Sequence, residues 1–333
     1  MPDLPISPDL PALIAKKTHL IEVPAERAGQ RLDNFLLGQF KHLPRSLIYK
    51  LVRSGQVRVN GGRIRASYKV CAGELVRLPP LVMAADNRPN KTEPAAGLVR
   101  RMEQAIVFED AYLLVINKPC GVASHGGSGI SFGAIETLRA LRPKQNLELV
   151  HRLDRDTSGL LVIAKKRAAL RQMQALLRND HATIGQNNGL CKRYLALLTG
   201  HLPNGTLKVD APLHVGLRQG GERHVQVSAN GKAALSVFKV LARRGGHSYC
   251  EVRIETGRTH QIRVHARHIG HPLAGDDKYG DPLINQRLRQ QSGLKRLFLH
   301  ASALEFSLEH RAEPYKLNAP LPAELHHVLE RLG

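Results

Sequence analysis

His151-Arg152-Leu153-Asp154-Arg155-Asp156-Thr157-Ser158-Gly159 runs directly into Leu160-Leu161-Val162-Ile163-Ala164. An apolar run of strand formers opened by a Thr-Ser-Gly turn predicts a buried β-strand. Asp154 therefore belongs to a loop anchored by a rigid element, a common place for reactive groups. The arginines on either side favour its ionised form. An ionised, positioned carboxylate serves as a nucleophile or as a base.

Working outward, the charge balance names a class of partner. The chain has 333 residues, with 49 Lys and Arg against 28 Asp and Glu, a formal charge of +21. Such an excess predicts a polyanion, RNA or DNA before an anionic membrane. Aromatic residues make up 4% of the chain and Trp is absent, which argues against an aromatic-lined sugar or hydrophobic-ligand site. Apolar residues at 42% are ample for a core, and the length suggests about two domains. No apolar run is long enough to span a bilayer. The opening Met1-Pro2-Asp3-Leu4-Pro5 lacks the features of a secretion signal. Cys71, Cys120, Cys191 and Cys250 are scattered without a C-x-x-C pair, as reduced thiols of a cytoplasmic protein are.

We read four segments. Residues 1–20 are Pro-rich and form a flexible tail; 21–80 form a small domain; 81–104, with Pro89 and Pro94, form a linker; 105–333 form the large domain. In the small domain, helices are expected over 30–40 and 44–54, a strand and turn over 57–62, and a strand over 70–78. No acidic residue lies between Asp33 and Glu74, yet that stretch holds Lys41, Arg45, Lys50, Arg53, Arg58, Arg63, Arg65 and Lys69. One-sided charge of this kind suits phosphate binding. The large domain mixes strands (113–117, 193–198, 249–254) with helices (132–141, 166–178, 322–332). Two further clusters carry chemistry. Lys192-Arg193-Tyr194-Leu195-Ala196 puts a Tyr on an apolar strand, and Glu255 to His265 reads as a helix following a Gly turn.

The small domain resembles the S4-like RNA-binding domain in Arg31-Leu32-Asp33-Asn34-Phe35-Leu36, Arg45-Ser46 and Gly55-Gln56-Val57-Arg58-Val59-Asn60-Gly61. That resemblance implies a helical pair presented to structured RNA, with Arg31, Arg45, Lys50, Arg53 and Arg58 as candidate contacts. The large domain resembles the RluA family of RNA pseudouridine synthases. It does so in Asn117-Lys118-Pro119, Gly121, His125, the His151 to Gly159 stretch, Lys192-Arg193-Tyr194, Arg258-Thr259-His260-Gln261-Ile262-Arg263-Val264-His265, and Gly280 after Asp276 to Tyr279. The pairing of H-R-L-D-x-x-T-S-G with R-T-H-Q-I-R-V-H is specific; either alone is less so.

The family resemblance implies an α+β fold: a mixed, largely antiparallel sheet with flanking helices, preceded by the small S4-like α/β domain. It implies isomerisation of uridine to pseudouridine in RNA, a reaction that requires no cofactor; we separately expect a monomer and no metal. Likeness to a ribosomal subgroup favours ribosomal RNA over transfer RNA. It implies Asp154 as the essential carboxylate, which either attacks the ribose anomeric carbon or removes the C2′ proton. Tyr194 stacks on the base and is placed to take the C5 proton, Arg263 pairs with the Asp, and Arg152 fills the gap in the base stack. Asp156 falls where the family is free, so it belongs to the turn rather than to a two-carboxylate glycosidase.

Other readings carry less. His265 and His268, or His268 and His271, share a helix face without a third ligand, and on a helix His260 would lie about 12 Å from His268. The Gly126 to Gly129 loop lacks the G-K-[ST] ending of a phosphate loop. His181 to Gly189 makes a longer connection than the family usually has, and Cys120 stands where a Ser is common. A non-catalytic ribosome-assembly protein shares the charge and the S4-like module but has no need of Asp154, Tyr194 and Arg263 together. A nucleoside or glycoside hydrolase would release free base.

Overall fold

A computed structural model of the chain describes residues 18–40, 43, 45–80, 93–127, 130–179, 190–219 and 222–333. The chain divides into two compact units between Asn90 and Lys91.

The described residues of the first unit form strands β1 (His19–Glu22), β2 (Arg58–Val59), β3 (Gly62–Arg63) and β4 (Leu75–Leu78), with helices α1 (Leu32–Gln39) and α2 (Arg45–Arg53). The sheet order is β1-β4-β2-β3. Leu32, Phe35 and Leu36 of the first helix pack with Ile48, Leu51 and Val52 of the second over Val59, Val76 and Leu78. The sequence periodicity is therefore the packing face. Two expectations change. β1 begins at His19, inside the segment read as a tail; residues 1–17 lie outside the described ones. The strand expected from Val70 starts at Leu75, because Gly73, at a φ of 78°, turns the chain first.

The second unit opens with α3 (Ala96–Gln104), inside the segment read as linker. Its Met102 is fully buried, with Leu98 packed beside it in the same cluster. The i, i+4 pair places both on one helix face, and the preceding prolines hide the pattern in the sequence. Then follow β5 (Ile106–Glu109), β6 (Leu113–Lys118), α4 (Ala134–Leu141), β7 (Glu148–Leu149), β8 (Ser158–Ala164), α5 (Arg167–Asn179) and β9 (Leu190–Thr199). Next come β10 (Thr206–Asp210), β11 (Leu213–Gln219), β12 (Glu222–Val227), β13 (Leu235–Arg244), β14 (His247–Ile254) and α6 (Gln261–His268). The chain closes with α7 (Pro282–Ser292), β15 (Leu299–Phe306), β16 (Tyr315–Asn318) and α8 (Ala323–Arg331).

The described strands build a ten-stranded sheet of order β10-β13-β14-β9-β15-β8-β6-β5, with β16 on β15 and β7 on β8. β8 and β15 run parallel, and the other pairs are antiparallel. This is the mixed, largely antiparallel sheet with flanking helices. β11 and β12 form a separate hairpin.

The apolar runs of β6 and β8 are continuous because both faces of the sheet are covered. Leu113, Val115, Leu160 and Val162 face one core with Ala169 and Met173 of α5. Leu114, Ile116, Leu161 and Ile163 face the other with Met102 of α3 and Ile135 and Leu138 of α4. Each such side chain contributes about 1.5–3 kcal/mol on burial. Gly159 sits where β8 meets β15, paired with Ala301 and with a φ of 113°. A Cβ there would collide with the Ala301 backbone. The Thr-Ser-Gly turn therefore makes the parallel pairing sterically possible.

Candidate active site

Asp154 lies on the loop between β7 and β8, and its neighbours are clamped on both sides. On one side, Ser124 Oγ accepts from the Leu153 amide at 2.9 Å and donates to the Leu153 carbonyl at 2.7 Å. On the other, the Arg155 carbonyl accepts from Lys118 Nζ at 3.2 Å and from the Gly121 amide at 2.9 Å. Lys118, at the end of β6, is fully buried and also donates to the carbonyls of Val122 (2.7 Å) and Pro119 (3.1 Å). Burial lowers its pKa to about 8. The strand end and the 119–124 turn thus hold the backbone around Asp154, while its side chain stays partly open to solvent.

Three elements bring the other groups to this carboxylate. Arg263 projects from α6 and is 8% exposed. Its Nη1 lies 3.5 Å from Asp154 Oδ2. Its Nε and Nη2 donate at 2.8 Å each to the two oxygens of Asp276. Burial works against the Arg263 charge, but the hydrogen bonds and charge of Asp276, with Asp154 behind them, raise its pKa well above the ordinary value. Asp276, 1% exposed, also accepts from the Lys278 and Tyr279 amides at 3.0 Å. Burial disfavours its charge too, yet Arg263 and these amides hold its pKa below the usual carboxylate range.

His260 precedes α6 in the left-handed region, with a φ of 53°. That conformation is uncommon for a residue with a side chain. Its Nδ1 is 2.8 Å from the Tyr279 hydroxyl and its Nε2 is 3.8 Å from Asp154 Oδ2. Burial lowers its pKa against the pull of Asp154, so the ring is neutral in neutral solution. Tyr194 is half-buried on β9, between Val252 of β14 and Ala301 of β15. Burial, then the negative charge of Asp154, raises its pKa and keeps the phenol protonated. The site is thus a partly open carboxylate braced by a buried cation, with a neutral imidazole and a neutral phenol nearby.

The model of the RNA pseudouridylate synthase family matches residues 112–268, and that of the S4 domain matches residues 30–76. The Ribosomal large subunit pseudouridine synthase C of Yersinia pestis is 49% identical over 93% of this chain and 94% of its own length. The chain belongs to the RNA pseudouridylate synthase family. The protein of the same name from Escherichia coli K12 is 46% identical over 94% of this chain and 96% of its own. Among solved structures, Human RNA Pseudouridylate Synthase Domain Containing 4 is similar with a TM-score of 0.57 at 27% identity, covering 71% of this chain and 95% of that one. The chain is an RNA pseudouridine synthase, an α+β enzyme with an S4 domain at its N-terminal end.

Arg263 stands 3.5 Å from Asp154, and Tyr194, from a third motif, lies near enough to feel the Asp154 charge. Arg152 is exposed beside them. Asp156 accepts from Arg155 Nε at 3.1 Å, and its carbonyl accepts from Cys120 Sγ at 3.2 Å, as a turn residue does. In the first unit, Arg31 is bound by Asp33 at 2.7 Å, with Tyr49 donating to the same carboxylate. Lys50, Arg53 and Arg58 are exposed. The Arg45 side chain lies outside the described ones. A cavity of about 480 Å³ in this unit is lined by Tyr49, Arg53, Arg63 and Arg65.

Several readings need revision. The segment before Gln261 is not helical: it turns, and only the residues from Gln261 onward form α6. Arg263 is bound first by Asp276, which the motif reading quoted without giving it a role. The signal was a buried-type Arg with a second acidic stretch, Gly275-Asp276-Asp277, downstream. His260, weighed only as a metal ligand, is a neighbour of Asp154. His265 is buried, with Nδ1 3.0 Å from Ser236 Oγ and Nε2 2.9 Å from the Ala211 carbonyl, so it holds structure. His151 accepts from the Val162 amide at 3.1 Å and does the same. Among the described residues no group of three or more His, Cys, Asp or Glu converges as a metal site, and no helix is long and apolar enough to cross a membrane. The 181–189 connection lies outside the described residues.

Proposed function

We propose that this synthase isomerises a uridine of large-subunit ribosomal RNA, acting through Asp154 on a nucleotide swung out of its helix. The names of relatives at 49% and 46% identity support the substrate class. The observation that carries the chemistry is the row Asp154–Arg263–Asp276, a half-open carboxylate whose cation is fixed from behind.

Extruding a base costs about a few kcal/mol of lost stacking and pairing. Arg152, exposed next to Asp154, takes the vacated place with its planar guanidinium. Tyr194 packs against the extruded uracil from β9, and its protonated phenol suits packing better than service as a free base. Asp154 then acts on the ribose, with Arg263 facing the charge on Oδ2. The bond from N1 to C1′ breaks, the uracil turns, and C5 bonds to C1′. The C5 proton departs and N1 gains one, so no electrons are exchanged with an outside reagent. Whether Asp154 adds to C1′ or removes the C2′ proton is read from a deuterium at C2′: a primary isotope effect marks proton removal. The exposed cations of the S4 domain hold the surrounding RNA through its phosphates.

Unmodified large-subunit ribosomal RNA is incubated with the chain and pseudouridine is mapped chemically. The expected result is modification at defined uridines, lost in Asp154→Asn with RNA affinity within about twofold of native. Activity persisting in Asp154→Asn discards the mechanism; modification of transfer RNA alone discards the substrate.

A further inference from the structure

A second cavity lies against the same helix as the catalytic cation. Its volume is about 290 Å³, and it opens between the β11–β12 hairpin and α6. His224, Gln226 and Val227 line it from the hairpin, Val264 and Arg267 from the helix, and Tyr279 from the following turn. Val225, Val227, Val264 and Tyr279 share one small apolar cluster, which seats the hairpin on the helix.

Three observations bear on what this cavity holds. Among the described residues no acidic side chain lines it, while Arg267 and His268 do. Its size is near the lower end of the roughly 300–1,000 Å³ typical of small-ligand sites, the scale of a nucleotide rather than of a folded partner. It also shares a wall with the active site. The Tyr279 that lines it is hydrogen-bonded to His260, and its ring centroid is 5.0 Å from the Arg263 guanidinium. Arg267 follows Arg263 by four residues, just over one helical turn and about 6 Å along the axis.

We propose that this cavity binds a nucleotide adjoining the target uridine in the substrate RNA. This rests on the reading of the reaction given above. Swinging a uridine out leaves its neighbours without a stacking partner, and single-stranded bases find one on aromatic rings and guanidinium planes. The His224 ring, partly open to solvent and 6.3 Å from the buried Tyr279 ring behind it, supplies such a surface. Gln226 carries both a donor and an acceptor for a base edge. Arg267 meets the phosphate that links this nucleotide to the target. The cavity thereby couples sequence choice at a neighbouring base to the placing of the uridine at Asp154.

Arg267 and Gln226 are exposed, so their truncation leaves the fold standing. The probes are synthetic RNA fragments spanning a uridine that the unaltered chain modifies, intact or with one neighbouring nucleotide made abasic. Arg267→Ala and Gln226→Ala are each expected to raise KM about tenfold on the intact fragment with kcat within twofold, the size of one lost base contact. One abasic neighbour raises KM of the unaltered chain by a similar factor and adds little to that of Gln226→Ala, because the same contact is already gone. Unchanged KM in both variants, or abasic and Gln226→Ala effects that multiply fully, overturns the assignment. Failure of the unaltered chain to modify any RNA overturns this proposal together with the reaction beneath it. Pseudouridine formed normally by both variants overturns this proposal alone.

Discussion

Asp276 grips Arg263 through two hydrogen bonds of 2.8 Å, whereas the same guanidinium stands 3.5 Å from Asp154. The cation therefore belongs structurally to the buried carboxylate and is only offered to Asp154. Held this way, Arg263 is expected to stay in place when Asp154 engages RNA. Such preorganisation avoids rearrangement at the moment of reaction. Removing the anchor should thus act through position. We expect Asp276→Asn to lower kcat about 100-fold, the scale of a misplaced catalytic group. It should also lower stability by about 3–5 kcal/mol, because it leaves a buried cation half-paired. Steady-state kinetics and urea unfolding measure the two effects; a native kcat in the Asn variant refutes the anchoring role.

Ser124 holds both the amide and the carbonyl of Leu153 with one hydroxyl. Ser124→Ala should cost about 1–3 kcal/mol for the buried groups left unpaired. Because the clamp borders Asp154, kcat should fall while KM stays near native. A rise in KM alone would show that the clamp serves RNA binding instead.

Gly159 faces the Ala301 backbone at a φ closed to most side chains. Gly159→Ala should destabilise the catalytic unit by more than about 3 kcal/mol, strain and collision acting together. Chemical denaturation tests this, and a loss under 1 kcal/mol would mean that β8 and β15 can part without consequence.

Burial lowers the pKa of His151 and of His300 to about 4, against about 6.5 for a free imidazole. As the pH falls, the unfolded chain binds these protons first. Stability contributed by the neutral rings is therefore complete above about pH 6.5 and is lost progressively toward pH 4, by about 3 kcal/mol for each ring. His151→Gln keeps an acceptor for the Val162 amide and removes one titration. Its unfolding free energy should fall less between pH 7 and pH 5 than that of the native chain; parallel pH curves would contradict the assignment.

Arg53 and Arg65 are exposed at the S4-domain cavity. If they meet phosphates, replacing both by Ala lowers the slope of log affinity against log salt by about one to two. Binding titrations at several salt concentrations read this directly. An unaltered slope would remove these two side chains from the RNA contact.

Much of this was legible in the chain. The apolar periodicity of residues 32–52 predicted the helical pair and its packing face, because both partners are local. The apolar 160–164 run predicted the central strand, which in the structure begins at Ser158. The motif residues Asp154, Tyr194 and Arg263 were visible as types. Helix Ala96–Gln104 escaped notice, since its few apolar positions gain meaning only against the sheet face that Met102 enters. The start of α6 was misjudged because His260 takes a left-handed conformation that side-chain pattern does not encode.

The amino-acid sequence by itself determined the chemistry available to this protein: a cationic chain, an S4 module, and a carboxylate, a phenol and a guanidinium in separate motifs. Only the tertiary structure decided which groups meet. Asp276 reaches Arg263 across 13 residues, and Lys118 reaches the backbone beside Asp154 across 37. Hydrogen bonding in a buried site depends on distance and direction in space. Those are set by how β6, β8, β9, β15 and α6 pack, and a linear pattern records neither.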